Sequence, residues 1–312
     1  MQSFILALEA ITPIFILLLL GYFLKCIKIT DKKGFDVMNT FGFKVFLPVL
    51  LFYNIYKNDS IELFDTRLIA FVVLATLAVF ALGLLTVMLI TKDNAKRGVM
   101  LQASFRSNFA ILGVPLVGYI CGEGSGALAA LMVAVVVPVF NVLSVISLEI
   151  FRGNTIKLGK VLKGIAQNPL IIACVLGLIF LGFNIKLPSV LETSVKDLSK
   201  VASPLAIMVL GASFNFSELG GYVKENIIVV STRLIIVPAV MLTLGALLGF
   251  TGEAFCCLIV IFGAPVAVSS YAMAQQMGGD EKLAAQVVVL TSAICVVTLF
   301  AWIFIFSSLG VI

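Results

Sequence analysis

The chain contains long stretches with no charged residue at all: 68–91, 107–122, 124–148, 164–185, 234–252, 254–279 and 283–312. Each approaches or exceeds the roughly 20 apolar residues that cross the hydrocarbon of a bilayer. Across the whole chain 61% of residues are hydrophobic and 12% charged. Soluble domains have about 45–50% and about 25%, so a soluble globule is excluded. Allowing Glu9, Lys44 and Arg233 inside apolar runs predicts ten spans: 4–25, 34–56, 67–91, 97–120, 125–151, 161–182, 189–215, 224–250, 253–276 and 282–308. The expected fold class is an all-α polytopic membrane protein.

The net charge of +5 does not point to nucleic acid, because the basic residues sit at span ends. One face holds 13: Lys25, Lys28, Lys32, Lys33, Lys92, Lys96, Arg97, Arg152, Lys157, Lys160, Lys163, Lys224 and Lys282. The other holds 5: Lys57, Arg67, Lys186, Lys196 and Lys200. The positive-inside rule puts the richer face in the cytoplasm and both termini outside the cell membrane. Residues 4–24 read as a first span rather than a cleaved signal peptide. Their basic cluster follows the apolar run, and no small-residue cleavage site appears.

Cys26, Cys121, Cys174, Cys256, Cys257 and Cys295 show no metal-type or C-x-x-C spacing. They read as small apolar packing residues. With no histidine, the commonest metal ligand and the easiest proton relay are missing. No metal and no cofactor are expected.

An internal repeat organises the chain. A shift of 156 residues aligns Pro13 with Pro169, Gly21 with Gly177 and Pro48 with Pro204. A shift of 150 then aligns Gly113-Val114-Pro115 with Gly263-Ala264-Pro265. Five spans per half is an odd number, so the halves are inverted about an axis in the membrane plane. Residues 1–152 form the first repeat, 153–163 a cytoplasmic link and 164–312 the second repeat. Proline breaks a helix and frees carbonyls, and in lipid those need protein or a wet cavity. A matched pair of Gly-x-Pro motifs therefore predicts two broken helices meeting at a transporter-type site near the midplane.

Polar residues cluster at these motifs. Asn108 lies about 18 Å along a helix from Lys96, past the midplane, and its amide offers donors and an acceptor without a buried charge. Arg106 costs about 2.5–3.5 kcal/mol near the membrane centre. It reads as a bidentate carboxylate contact, as a snorkelling side chain, or as a partner of Glu149 or another acid. Beyond Pro265 come Ser269, Ser270, Gln275 and Gln276, with helix restarts whose N-termini attract anions. Routine interhelical hydrogen bonding is the alternative for all of these. Asn141, Thr291 and Ser292 rank second. Pro138 and Pro238 read as kinks. Arg233 is a further buried-charge candidate, with pairing to an acid near a span end as the alternative, and Lys44 has no assignment.

Several strings resemble the auxin efflux carrier family in its bacterial branch of malate or malonate permeases. They are Asn108 with Gly113-x-Pro115, Ala264-Pro265, the run Ala274-Gln275-Gln276-x-Gly278-Gly279-Asp280, and Pro204-Leu205-Ala206 to Leu210-Gly211-Ala212. The resemblance implies ten helices in two inverted repeats, with helices 4 and 9 broken and crossing at their prolines, Pro115 and Pro265. It implies a scaffold of spans 1, 2, 6 and 7, a moving body of spans 3–5 and 8–10, elevator-like alternating access, homodimers, and Asn108 as the crossover asparagine. Similar crossovers occur in bile-acid sodium symporters and sodium/proton antiporters. The acid that such antiporters need at the crossover is absent here.

Two transport readings follow. One is a secondary transporter of a small organic anion, a dicarboxylate or an indole-type acid, with H+ or Na+ as a candidate coupling ion. The other is a sodium-coupled symporter of the bile-acid type. The expected substrate-binding set is Asn108, Arg106, Gly113, Pro115, Gly263, Pro265, Ser269, Ser270, Gln275 and Asn141. An intramembrane enzyme would need paired aspartates, a Ser–Lys dyad or a histidine metal site within the spans; the absence of histidine and of a midplane carboxylate argues against it.

Overall fold

The structure is a computed structural model that describes residues 2–57, 65–121, 127–152, 158–214 and 220–312. Residues 153–157 of the expected link, with Lys157, lie outside the described residues, as do the side chains of Glu9, Val114 and Pro115. The described chain is helical throughout. In order come α1 (Gln2–Cys26), α2 (Lys32–Phe41), a π-helical turn (Gly42–Phe46), α3 (Leu47–Tyr56), α4 (Thr66–Ile90), α5 (Asn94–Phe105), α6 (Phe109–Cys121) and α7 (Ala127–Ile150). After these come α8 (Leu158–Ala166), α9 (Pro169–Gly182), α10 (Ser189–Ser213), α11 (Val223–Ser231), a second π-helical turn (Thr232–Ile236), α12 (Val237–Leu247), α13 (Gly252–Gly263), α14 (Ser269–Met277) and α15 (Glu281–Ser308).

Among the described residues, five helical stretches are long and apolar enough to cross a membrane: Lys32–Tyr56, Thr66–Ile90, Leu128–Ile150, Gly220–Leu247 and Glu281–Ser308. Shorter apolar helices, among them Pro169–Gly182 and Gly252–Gly263, pack with them. Helix starts carry local signals. Asp65, Asp93 and Asp280 accept from the first free N–H groups of α4, α5 and α15, and Asn168 does so for α9 ahead of Pro169.

Most prolines do not interrupt their helices. Pro13, Pro138 and Pro204 lie inside α1, α7 and α10. Pro48 and Pro238 each follow a π-helical turn, where looser pairing accommodates a missing donor. The Gly113-x-Pro115 motif also lies inside a continuous helix, α6. This corrects the expected break in that segment. The chain leaves the helix earlier, over Arg106–Asn108, between α5 and α6. In the second half it leaves the helix after Gly263 and regains it at Ser269. The two non-helical pieces meet. Ser107 and Val266 form a single antiparallel bridge, and the Asn108 N–H donates to the Pro265 carbonyl at 2.8 Å. The residues facing one another are thus Ser107 and Val266, and the motif at Pro115 is not the partner of Pro265.

Close helix approaches fix the layout around this crossing. A Cβ on Gly21 would lie 1.9 Å from the Met208 carbonyl oxygen, so only glycine lets α1 touch the backbone of α10. A Cβ on Gly177 would lie 2.9 Å from Ile55 Cβ and 3.2 Å from the Phe52 carbonyl, where α9 meets α3. The cysteine expectation also needs correcting. Cys121 and Cys256 form a disulfide between α6 and α13. Spacing along the chain could not reveal this pair, because its members lie 135 residues apart. Cys174, Cys257 and Cys295 are buried and free, and Cys26 is exposed and free.

Candidate functional site

The polar residues that follow α5 cannot reach water, and the crossing gives them partners instead. Arg106 is buried. Its Nη2 donates to Asn141 Oδ1 at 2.9 Å and Ser269 Oγ at 2.7 Å, and its Nη1 lies 2.8 Å from Met273 Sδ. Glu149, considered as a counter-ion from the sequence, pairs instead with Arg152 at 2.9 Å. No aspartate or glutamate pairs with Arg106 among the described residues. A buried guanidinium held only by neutral oxygens and a thioether keeps an uncompensated positive charge.

Asn108 is buried, and its Nδ2 has no hydrogen-bond partner. Arg106 Nε and Ser107 Oγ are in the same state. Arg106, Ser107, Asn108, Ala267, Val268 and Ser269 line one cavity of about 50 Å³. Its opposite wall is Leu47, Leu50 and Leu51 from α3 with Ser203 and Ala206 from α10. The cavity therefore lies between the crossing and the α3/α10 pair. One side offers a cation, an amide and a hydroxyl; the other is largely aliphatic.

Of the ten expected site residues, Arg106, Asn108 and Ser269 face this cavity, and Asn141 supports Arg106 from α7. Pro265 contributes its carbonyl to Asn108. Ser270 is buried next to the site, and its carbonyl accepts from Gln102 Nε2 at 3.1 Å. Gly113 lies within α6 and Gly263 ends α13; neither lines the cavity.

Gln275 is placed elsewhere, about 9 Å further along α14 at 1.5 Å per residue. Its Nε2 donates to Asp36 Oδ1 at 2.8 Å and Glu281 Oε2 at 3.0 Å, and its Oε1 accepts from Asn39. Gln276 donates to Thr40 Oγ1 at 3.2 Å, and Tyr271 donates to Ser213 Oγ at 2.5 Å. These bonds tie α14 and α15 to α2 and α10. They border a second cavity of about 220 Å³ lined by Lys25, Asp36, Ser213, Tyr271, Glu281 and Lys282. This cavity lies on the face that carries the larger set of basic residues. On the same face Lys96 meets Glu225 at 2.6 Å, and that hydrogen bond raises the Lys96 ammonium above its ordinary pKa.

Sequence reasoning flagged Arg233 as a buried charge, and the alternative of an acid partner does not hold among the described residues. It is fully buried. Rather than pairing with an acid, it donates to three backbone carbonyls: Ala264 at 3.0 Å, Phe105 at 3.1 Å and Ile261 at 2.8 Å. Gln102, buried one turn before Arg106, was missed, and only its position inside an apolar helix could have signalled it.

A family described as membrane transport protein matches residues 6–303. An uncharacterized transporter of Methanocaldococcus jannaschii is 27% identical over 310 residues, covering 95% of this chain and 98% of that protein. An uncharacterized transporter of Methanothermobacter thermautotrophicus is 24% identical over 295 residues, covering 94% and 96%.

Proposed function

The chain belongs to the membrane transport protein family, that of the auxin efflux carriers, and from this premise we propose that it is a secondary transporter of small organic anions working by elevator-type alternating access. The observation that carries the anion reading is Arg106, a buried cation without a counter-ion, sharing one cavity with the unpartnered amide of Asn108 and with Ser269. A carboxylate would supply what both side chains lack. The N-termini of α6 and α14 lie at the same crossing and add positive potential.

Within the organic anions, the lining favours one carboxylate on an apolar body over a dicarboxylate. Leu47, Leu50, Leu51 and Ile111 offer no second cation. The cavity is small, about 50 Å³, and on this reading the α3/α10 wall parts from α14 to admit substrate.

We read the helices as ten traverses in two inverted repeats, with residues 1–152 and 164–312 as the repeats. Paired contacts support this. The α1–α10 packing has its counterpart in α9–α3, α4–α5 in α12–α13, and α6–α7 in α14–α15. The contact of Gly21 with Met208 and that of Gly177 with Phe52 are related by the same shift of 156 residues. Spans 1, 2, 6 and 7 then form the scaffold and spans 3–5 and 8–10 the moving body. The bonds of Gln275, Gln276 and Tyr271 to Asp36, Thr40 and Ser213 form the latch between them.

The test is uptake of labelled indole-3-acetate, malate and malonate into proteoliposomes, each with and without sodium or proton gradients. Indole-3-acetate is expected to enter fastest, and Asn108→Ala to abolish most of its uptake without lowering the melting temperature. Dependence on a sodium gradient would establish the symporter alternative. Normal transport by Asn108→Ala would remove the site assignment.

A further inference from the structure

Arg233 sits in the π-helical turn Thr232–Ile236 between α11 and α12. It is fully buried, and no acid pairs with it among the described residues. Its partners share one property. Phe105 is the last residue of α5, Ile261 lies in the last turn of α13, and Ala264 caps it, one residue beyond its end. One guanidinium therefore receives the carbonyl ends of both interrupted helices. Each such end carries about half a negative charge, so the two together match a single cation. The planar five-donor fork of arginine reaches both ends at once, which an ammonium cannot do.

We propose that Arg233 is a positioning residue for anion recognition, an inference that rests on the anion-site reading above. It neutralises the carbonyl ends of α5 and α13 and pins the two helices together. Arg106 and the N-termini of α6 and α14 then act on a bound carboxylate without opposition. The connection to the site is covalent and short. Phe105 precedes Arg106, and Ala264 precedes Pro265, whose carbonyl takes the Asn108 N–H. Without Arg233, three buried carbonyl oxygens would turn a negative field on the site that has to hold an anion.

The experiment compares wild type, Arg233→Met, Arg233→Lys and Arg106→Gln in proteoliposomes. It measures the KM for indole-3-acetate, the inhibition constant of the neutral analogue indole-3-acetamide, and the melting temperature. Removing one charge roughly 10 Å from a carboxylate at an effective dielectric constant of about 20 raises KM about tenfold. The amide constant is expected to change less than about threefold, because a neutral ligand does not sense the field. Arg233→Lys, which restores the charge but reaches only one helix end, is expected to give a KM between those of wild type and Arg233→Met. If Arg233→Met does not fold, Arg233→Gln carries the same comparison.

Equal loss for acid and amide, or a lowered melting temperature with both constants unchanged, overturns the inference and leaves Arg233 a structural cap. If Arg106→Gln raises KM and Arg233→Met does not, the site stands and this inference alone fails. A wild type that binds none of indole-3-acetate, malate and malonate overturns both.

Discussion

Replacing Arg106 by glutamine separates a binding role from a structural one, because the two predict opposite signs. Arg106 is buried and held by Asn141 at 2.9 Å, Ser269 at 2.7 Å and Met273. A charge at the centre of a bilayer costs about 2.5–3.5 kcal/mol on insertion scales. Three neutral contacts offset only part of that cost, and glutamine keeps a donor for Asn141 or Ser269. The empty protein is therefore expected to gain about 1 kcal/mol, which for a chain of this size is about 2–4 °C in melting temperature. Substrate binding should move the other way. A hydrogen bond to a charged group is worth about 1.5–3 kcal/mol, and a neutral one about 0.5–1.5. The difference of roughly 1–2 kcal/mol raises the KM for indole-3-acetate about 5- to 30-fold. Thermal unfolding in detergent and initial uptake rates in proteoliposomes measure the two quantities on one preparation. A lower melting temperature with KM within about twofold of wild type would refute the reasoning, since that result describes an arginine that only holds α5 to α7 and α14.

Two further outcomes test the fold and its orientation. Gly21→Ala places a methyl 1.9 Å from the Met208 carbonyl, so α1 and α10 must separate at a cost of about 1–3 kcal/mol. Gly118→Ala meets nothing within 4 Å and should stabilise its helix by about 0.5–1 kcal/mol. Melting temperatures that fall for the first and rise slightly for the second are expected, and equal values would contradict the close approach. Cys26 is the exposed free cysteine among the described residues, beside Lys25 and Lys28. A membrane-impermeant maleimide should label it in inside-out vesicles and not in intact cells; labelling of intact cells would invert the assigned topology.

What the sequence made legible, and what it did not, divides along one physical line. The apolar runs depend on neighbours in the chain, and local reading located them; the helix caps Asp65, Asp93 and Asp280 depend on neighbours too, but went unread. The break at Arg106–Asn108 depends on neighbours in space. Its freed groups are taken up by Arg233, 128 residues away, by the Pro265 carbonyl and by the bridge to Val266. Proline was a poor guide for the same reason. Pro13, Pro138 and Pro204 sit inside helices, and α6 runs on past Pro115. The first break contains no proline at all. Inside a membrane the cost of leaving a helix is set by whether the released N–H and C=O groups find partners, and a residue that removes one donor decides that only in part. Arg106, Ser107 and Asn108 were the more telling signal. Three polar residues in succession within an apolar run can be tolerated only where tertiary partners already wait. Gln275 shows the converse. It was grouped with Ser269 by proximity in sequence, yet two turns of helix carry it to Asp36 and Asn39. A polar residue in a span therefore reports that a partner exists, while which partner it is, and whether the contact faces a cavity or ties two helices together, is decided by the packing of helices far apart in the chain.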